Sequence, residues 1–539
     1  MPENDQAHTT SGGMMRSMGR NAFGVLVSRL SGVLRDVVSA GYWGGTGAAQ
    51  AAYHLAFKVP NMFRSLFGEG AFSAAMVPSV SGKLELGDRE AAWRIAERTI
   101  SLQMLLMLGL VLIGTLFSVV MLFVLPPETR QHIRLTFGIL PILLPYMLLV
   151  CATASFASIL NAMRVFALPA LNQAVFNIVQ VAAILVIRCF WGNEELPALL
   201  WFCASVVLAG ILQMGMLLVL CRKNGFAFHF RPVWKDPEVQ DVCRRFVPSL
   251  VGAGTGLLNQ CVDSVLVASL GAVAVGALEY SHRLIYLPVG ILGVTMGNVC
   301  LTELSRCAAG KDAAAMAEKM DFSLRLVLFV SLPCAVLMQI LAEPVAGLLF
   351  RHGNFNREAL EHCVFALKFY LLALPAFCCL KVATTPHYAN KDTRTPMRVS
   401  LCCIGLNLVL NLILMQFLRE GGLALATSIC SWLQVVVLLL LAKRKLVLEW
   451  RVRETLLGAG LMLLASVVGG GFAILILTIL PTCPPNAGTA SQKVWRLIQV
   501  VLAGGAGGTA YLLASLLMNR PEVLTLREVL LRRRKNPST

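Results

Sequence analysis

Charge is scarce in this sequence. Only 14% of its 539 residues are charged, where soluble domains run near a quarter. Acids are scarcest, with 29 Asp and Glu against 46 Lys and Arg, a formal net charge of +17. With 57% hydrophobic residues and a mean hydropathy of +0.71, a soluble globular protein is excluded. There are no short segments of alternating polarity, which excludes a transmembrane β-barrel. No CxxC pair and no His/Cys cluster is present, so the sixteen cysteines read as small buried hydrophobes, not metal ligands or a disulfide framework. No connection is long enough to hold an active site of its own. Residues 1–15 contain no apolar h-region, so insertion is expected to begin with the first span and not with a cleavable signal.

What is present is a succession of apolar runs about 20 residues long, the mark of an all-α polytopic membrane protein. About fourteen spans are expected, near 20–43, 51–80, 99–125, 135–161, 168–190, 197–221, 243–270, 273–304, 322–350, 359–385, 397–418, 421–442, 455–480 and 494–518. Connections alternate between basic and nearly bare. Lys83, Arg89, Arg94 and Arg98 fall on one side, and the GGTGAAQ, GNEELP and LGAVAVG turns on the other. The positive-inside rule then places both termini in the cytoplasm, and the +17 excess reads as topology, not nucleic-acid binding. The widest polar connection divides the first twelve spans into two sets of six, the layout of a two-lobed transporter around a central cavity. The expected parts are a 1–15 N-terminal segment, a 16–221 N-lobe, a 222–242 linker, a 243–446 C-lobe, spans 13 and 14 within 447–520, and a basic 521–539 tail.

Chemistry concentrates in the first two spans, SRLSGVLRD and AFKVPNMFRSLFGEGAFSAAMVP. They carry Arg29, Arg35, Asp36, Lys58, Asn61, Arg64 and Glu69. A charge at the bilayer centre costs about 2.5–3.5 kcal/mol on insertion scales, so four cations facing lipid would cost on the order of 10 kcal/mol. They are therefore expected to line a polar interior. Lys58, Asn61 and Arg64 recur every three residues on one broad face, and Pro60 and the Gly68-Glu69-Gly70 run should interrupt the helix. Span 8 repeats the theme with Glu279, His282 and Arg283 ahead of Pro288. Guanidinium is planar, always charged and suited to bidentate phosphate binding, so a diphosphate head group fits such a cluster. The plainer reading is that these arginines pair with Asp36 and Glu69 or snorkel to the interface; more cations than carboxylates weigh against it. A second constellation joins Asp263 in span 7, Asn407 and Asn411 in span 11 and Thr427 in span 12. Its oxygens suit a hard cation, though polar residues in a bundle also serve simply as interhelical hydrogen bonds.

These blocks, with YSHRLIYLPVGILGV and the loop YANKDTRTP, resemble the MurJ (MviN) family of bacterial lipid II flippases from span 1 to span 12. The resemblance implies the fold of the multidrug/oligosaccharidyl-lipid/polysaccharide exporter superfamily: two six-helix lobes in a V, plus two C-terminal helices grooved for a lipid tail. It implies a non-enzymatic, monomeric carrier that moves undecaprenyl-diphosphate-linked peptidoglycan precursor to the periplasmic leaflet by alternating access, in transient contact with the cell-wall synthesis machinery. Arg29, Arg35, Arg64 and Arg283 look like the family's cavity arginines, and Asp36, Lys58, Asn61 and Glu69 fall in the same motifs. Asp263, Asn407, Asn411 and Thr427 look like a Na+ site of some members, and the cationic cavity implies room for chloride or another anion. Three positions depart from the family pattern. GTGAAQAAY has Gln50 and Ala51 where an acid is common, His282 stands where an Asp often precedes the span 8 arginine, and Asn411 replaces an acid.

Rival readings are a flippase for another polyprenyl-diphosphate-linked glycan, an exporter of cationic drugs, a membrane-embedded glycosyltransferase, and a non-transporting scaffold. A cationic interior disfavours cationic cargo. A transferase would need catalytic carboxylates and a sizeable external loop, and neither is evident.

Overall fold

The computed structural model describes residues 11–518 apart from 69–70, 164, 166, 193, 310–311, 391, 446–449, 451 and 481–488. Within them the chain is helical throughout, with seventeen helices and no strand among the described residues. It forms two compact units: Met1–Leu257 with Gly353–Phe355, and Leu258–His352 with Asn356–Thr539.

In the first unit run α1 (Ser11–Trp43), α2 (Ala48–Gly68), α3 (Ala71–Glu85), α4 (Arg89–Val124), α5 (Gln131–Ala162), α6 (Ala167–Phe190) and α7 (Glu195–Lys223). Helix α5 is the hub: α2, α3, α4 and α7 all pack on it, while α1 lies along α6. Its inner face supplies fully buried Tyr146, Met147 and Phe156 to a core completed by Phe176 and Phe202. The outer faces carry the opposite polarity from a soluble protein. On α4, Leu112, Ile113, Leu116, Phe117 and Phe123 are exposed, whereas Gln103 is buried and donates to the Cys151 carbonyl at 3.0 Å. Exposed apolar side chains over paired polar ones are what a hydrocarbon surround requires.

The second unit continues through α8 (Pro237–Leu270), which begins in the first, then α9 (Ala272–Ala309), α10 (Ala313–Ile340), α11 (Ala342–Phe350), α12 (Arg357–Leu371), α13 (Leu374–Ala389), α14 (Arg394–Leu418), α15 (Glu420–Lys445), α16 (Val452–Ile479) and α17 (Thr489–Leu517). Local chemistry sets the starts. Asp88, Asp312 and Asn356 each accept the backbone N–H of the third residue beyond, opening α4, α10 and α12. Helices α14 and α15 turn back on each other tightly: a Cβ on Gly422 would sit 2.4 Å from the Leu414 carbonyl oxygen, so only glycine fits.

Span 2 holds α2, which stays helical through Pro60, and α3. Two other expected spans are broken. Span 9 divides at Leu341, and span 10 at Leu372–Ala373, just ahead of Pro375, which has no N–H to offer the Leu371 carbonyl one turn back. Among the described residues, ten helical segments are long and apolar enough to cross a membrane. The four expected spans outside that set belong to α1, α2–α3, α8 and α9, which hold the expected site residues of spans 1, 2, 7 and 8. This is a multi-pass membrane protein; the count of fourteen stands as an expectation.

The connection from α7 to α8 is strapped onto α4. Phe226 is fully buried against Trp93 with ring centroids 5.1 Å apart, and Phe228 meets Phe156 at 5.4 Å. His229 Nδ1 lies 2.9 Å from Glu97 Oε1, the Arg231 backbone N–H donates to Ser101 Oγ at 2.8 Å, and Arg98 pairs with Asp236. Burial alone would raise the Asp236 carboxyl, but the Arg98 guanidinium and the Glu238 and Val239 amides outweigh it and hold the group below its ordinary value.

Phe226→Ala should destabilise the protein by about 3–5 kcal/mol, the range for emptying a buried phenylalanine site. A drop of several degrees in the unfolding midpoint of the purified protein checks this. The Arg98–Asp236 pair has its own pH signature. A lowered carboxyl stabilises the fold above the unfolded value of about 3.9 and loses that contribution as pH falls through the native one. Arg98→Ala should therefore lower the midpoint at pH 7, with the gap from wild type closing below about pH 4.

Candidate functional site

The first constellation is assembled within the first unit. On α1, Arg35 and Asp36 pair directly, with Nη2 to Oδ1 at 2.6 Å and Nε to Oδ1 at 3.1 Å. The second guanidinium nitrogen donates to Asn177 Oδ1 on α6 at 3.2 Å, and the guanidinium carbon lies 5.7 Å from the Phe176 ring centroid. Asn177 is 2% exposed and spends its amide hydrogens on α1, donating to the Ser28 carbonyl at 3.2 Å and to Ser31 Oγ at 3.0 Å. One amide thus fixes both the backbone of α1 and the arginine it presents.

On α2, Arg64 Nε donates to Asn61 Oδ1 at 2.8 Å, one turn back, as the three-residue spacing predicts. Arg64 and Arg35 both lie within electrostatic reach of buried Tyr146 on α5. Beneath them Tyr53, Phe57, Tyr146 and Phe176 form an aromatic wall; Phe57 stacks on Tyr53 at 5.4 Å and on Phe176 at 5.8 Å. Lys58 follows Phe57 and is half-buried, with no ion pair among the described residues. Arg29 is exposed on α1. Glu69 lies outside the described residues. Between Arg29 and Gly68, α1 and α2 thus carry four cations, Arg29, Arg35, Lys58 and Arg64, and one carboxylate, Asp36, which is engaged by Arg35.

In the second unit α9 carries Arg283, paired with Glu279 at 3.1 Å. That pair answers the missing acid at His282: the partner comes from one turn earlier. His282 lies against Tyr286 (4.3 Å between ring centroids) and Tyr370 of α12 (5.9 Å).

The oxygen cluster also forms. Asn411 Nδ2 on α14 donates to Asp263 Oδ1 on α8 at 2.8 Å and to Asn407 Oδ1 at 2.9 Å, and Asn259 Nδ2 donates to Asp263 Oδ2 at 3.1 Å. Hydrogen bonds to a charged group are worth about 1.5–3 kcal/mol, enough to pin α8 to α14. Thr427 does not join: its hydroxyl donates to the Leu423 carbonyl in its own helix at 3.0 Å. Among the described residues no group of three or more His, Cys, Asp or Glu side chains is placed to hold a metal ion.

Between α16 and α17 runs an apolar groove of about 440 Å³, lined by Ile476, Ile479, Val501, Leu502 and Gly505 among others. Asn177, Glu279 as partner and Asn259 were not picked out from the sequence as site residues. The signal for Asn177 was present: Gln173, Asn177 and Gln180 recur at helical spacing in an otherwise apolar span, and amides in such a span need partners.

Residues 42–482 match the profile of the family described as lipid II flippase MurJ. The "Probable lipid II flippase MurJ" of Rhizobium tropici is 28% identical over 520 residues, covering 95% of this chain and 96% of that protein. Its namesake from Vibrio cholerae serotype O1 is 30% identical over 426 residues, covering 77% and 80%. A solved structure of a lipid II flippase MurJ in an inward closed conformation superposes with a TM-score of 0.76 at 24% identity, over 93% of this chain and 98% of that one. An inward-facing multidrug resistance MATE family transporter of the MOP superfamily gives 0.65 at 13% identity, over 80% and 98%. These two likenesses speak for the fold. With the profile covering most of its length, this chain belongs to the lipid II flippase MurJ family.

Proposed function

We infer that the protein carries lipid II across the membrane from the cytoplasmic to the periplasmic leaflet, without making or breaking a bond. The observation that carries the reading is the excess of cations between Arg29 and Gly68 on α1 and α2, four against the one carboxylate Asp36, in a chain of this family. A surplus of positive charge in an apolar region is costly; an anionic diphosphate compensates it. Arg29, Arg35 and Arg64 would grip the diphosphate through paired N–H donors, with Lys58 as a point charge; Arg283 on α9 is proposed to serve the cargo as well. Chloride or another small anion would hold the same cluster between loads. The aromatic wall beneath excludes water and so strengthens each charge contact. The polyprenyl tail, too apolar to enter, would run along the groove between α16 and α17. Transport would proceed by alternating access, with both termini in the cytoplasm, as a monomer that hands its cargo to the cell-wall synthesis machinery.

Complementation tests this. In a bacterium depleted of its own lipid II flippase, wild type should restore growth. Arg29→Ala, Arg35→Ala, Arg64→Ala and Arg283→Ala should each fail at normal membrane abundance; rescue by all four would remove the arginines from the mechanism. Asn177→Ala should behave as a positioning change. It should lower the unfolding midpoint, by about 1–3 kcal/mol of lost buried hydrogen bonding. It should also weaken complementation, and Asn177→Gln should restore part of both.

A further inference from the structure

We propose that the Asp263–Asn407–Asn411 cluster is held together by an amide in the place where a coupling cation would sit, so that this protein binds no Na+ there. The argument is one of donors and acceptors. A hard cation is held by oxygens converging on one point. Here the point on which Asp263 Oδ1 and Asn407 Oδ1 converge is the Asn411 amide nitrogen, at 2.8 and 2.9 Å. An N–H donor in that position repels a cation and does the cation's work, satisfying the carboxylate and linking α8 to α14. The second carboxylate oxygen is served by another amide, Asn259, at 3.1 Å, and Thr427, the remaining candidate oxygen, is turned to its own helix.

The side chains involved leave little room for the alternative. Asn411 is 0% exposed and Asn407 2%. Turning the Asn411 amide over would press three acceptor oxygens together, an arrangement that only a cation could hold. As placed, the turn is unnecessary: the Asn411 oxygen is left as the single buried atom of that amide without a hydrogen-bond partner among the described residues. Whether the cluster is amide-held or cation-held thus depends on one side chain being able to donate. Asparagine can; aspartate, of the same size, cannot. Asn411→Asp would remove the donor and bring a second carboxylate to the same point, turning the clamp into a cation site.

The inference stands apart from the substrate reading, because its readout is ion binding and not lipid movement. The test uses the full-length purified protein and compares unfolding midpoints in NaCl, KCl and choline chloride at constant ionic strength. A ligand that binds only the native state raises the midpoint with its concentration. Wild type should show the same midpoint in all three salts, and Asn411→Asp a midpoint that climbs with Na+ alone. Equilibrium binding of radioactive Na+ to wild type decides the matter even if the variant fails to fold: no saturable binding supports the clamp. Saturable, Na+-specific binding by wild type that Asp263→Asn abolishes would overturn it.

Discussion

Everything here depends on keeping charge out of lipid. A guanidinium or ammonium on a membrane helix must meet an anion, an amide or water, and the first unit meets that demand with very few acids. Asp36 takes one face of Arg35 and Asn177 takes another, while Asn61 takes the Nε of Arg64. Neutral amides orient the guanidinium groups without cancelling their charge. A carboxylate in place of Asn177 or Asn61 would hold the arginines equally well and leave nothing for a substrate. The shortage of acids, visible in the composition, is therefore a functional property of the site.

The two units solve the problem differently. In the first, positive charge is left in surplus over an aromatic wall. In the second, Arg283 is balanced by Glu279, and Asp263 is wrapped in amides from Asn259 and Asn411. An ion pair or a hydrogen-bonded carboxylate of this kind holds helices in register, whereas a surplus of cations invites an anionic ligand. On the proposed reading, that contrast assigns the grip on the diphosphate chiefly to α1 and α2. The apolar groove at α16 and α17 suits the part of the cargo that needs no charge at all.

Much of this was legible in the sequence, because insertion energetics are local. Twenty-residue apolar runs dictate helices, and an arginine in one of them announces a polar interior whatever its neighbours. The three-residue spacing of Asn61 and Arg64 puts them on one helix face, where the fold joins them by a hydrogen bond. What could not be read was long-range. Asn177 meets Arg35 across 142 positions, and no spacing rule connects them. The α7–α8 connection looked like a charged linker, yet Phe226, Phe228, the His229–Glu97 contact and the Arg98–Asp236 pair bind it to α4 and α5. Helix breaks at Leu341 and Leu372 were missed because hydropathy runs through them unchanged, while the chain geometry imposed by Pro375 does not. The Asn411 amide is the subtlest case: sequence shows an oxygen-bearing residue, but only the fold shows that its nitrogen faces the carboxylate.

Binding of lipid II to the purified protein, followed by native mass spectrometry, tests the central claim most directly. The account predicts that wild type retains lipid II, that Arg29→Ala, Arg35→Ala and Arg64→Ala each weaken retention and together abolish it, and that inorganic diphosphate competes. Retention unchanged in the triple variant, at intact folding, would contradict it.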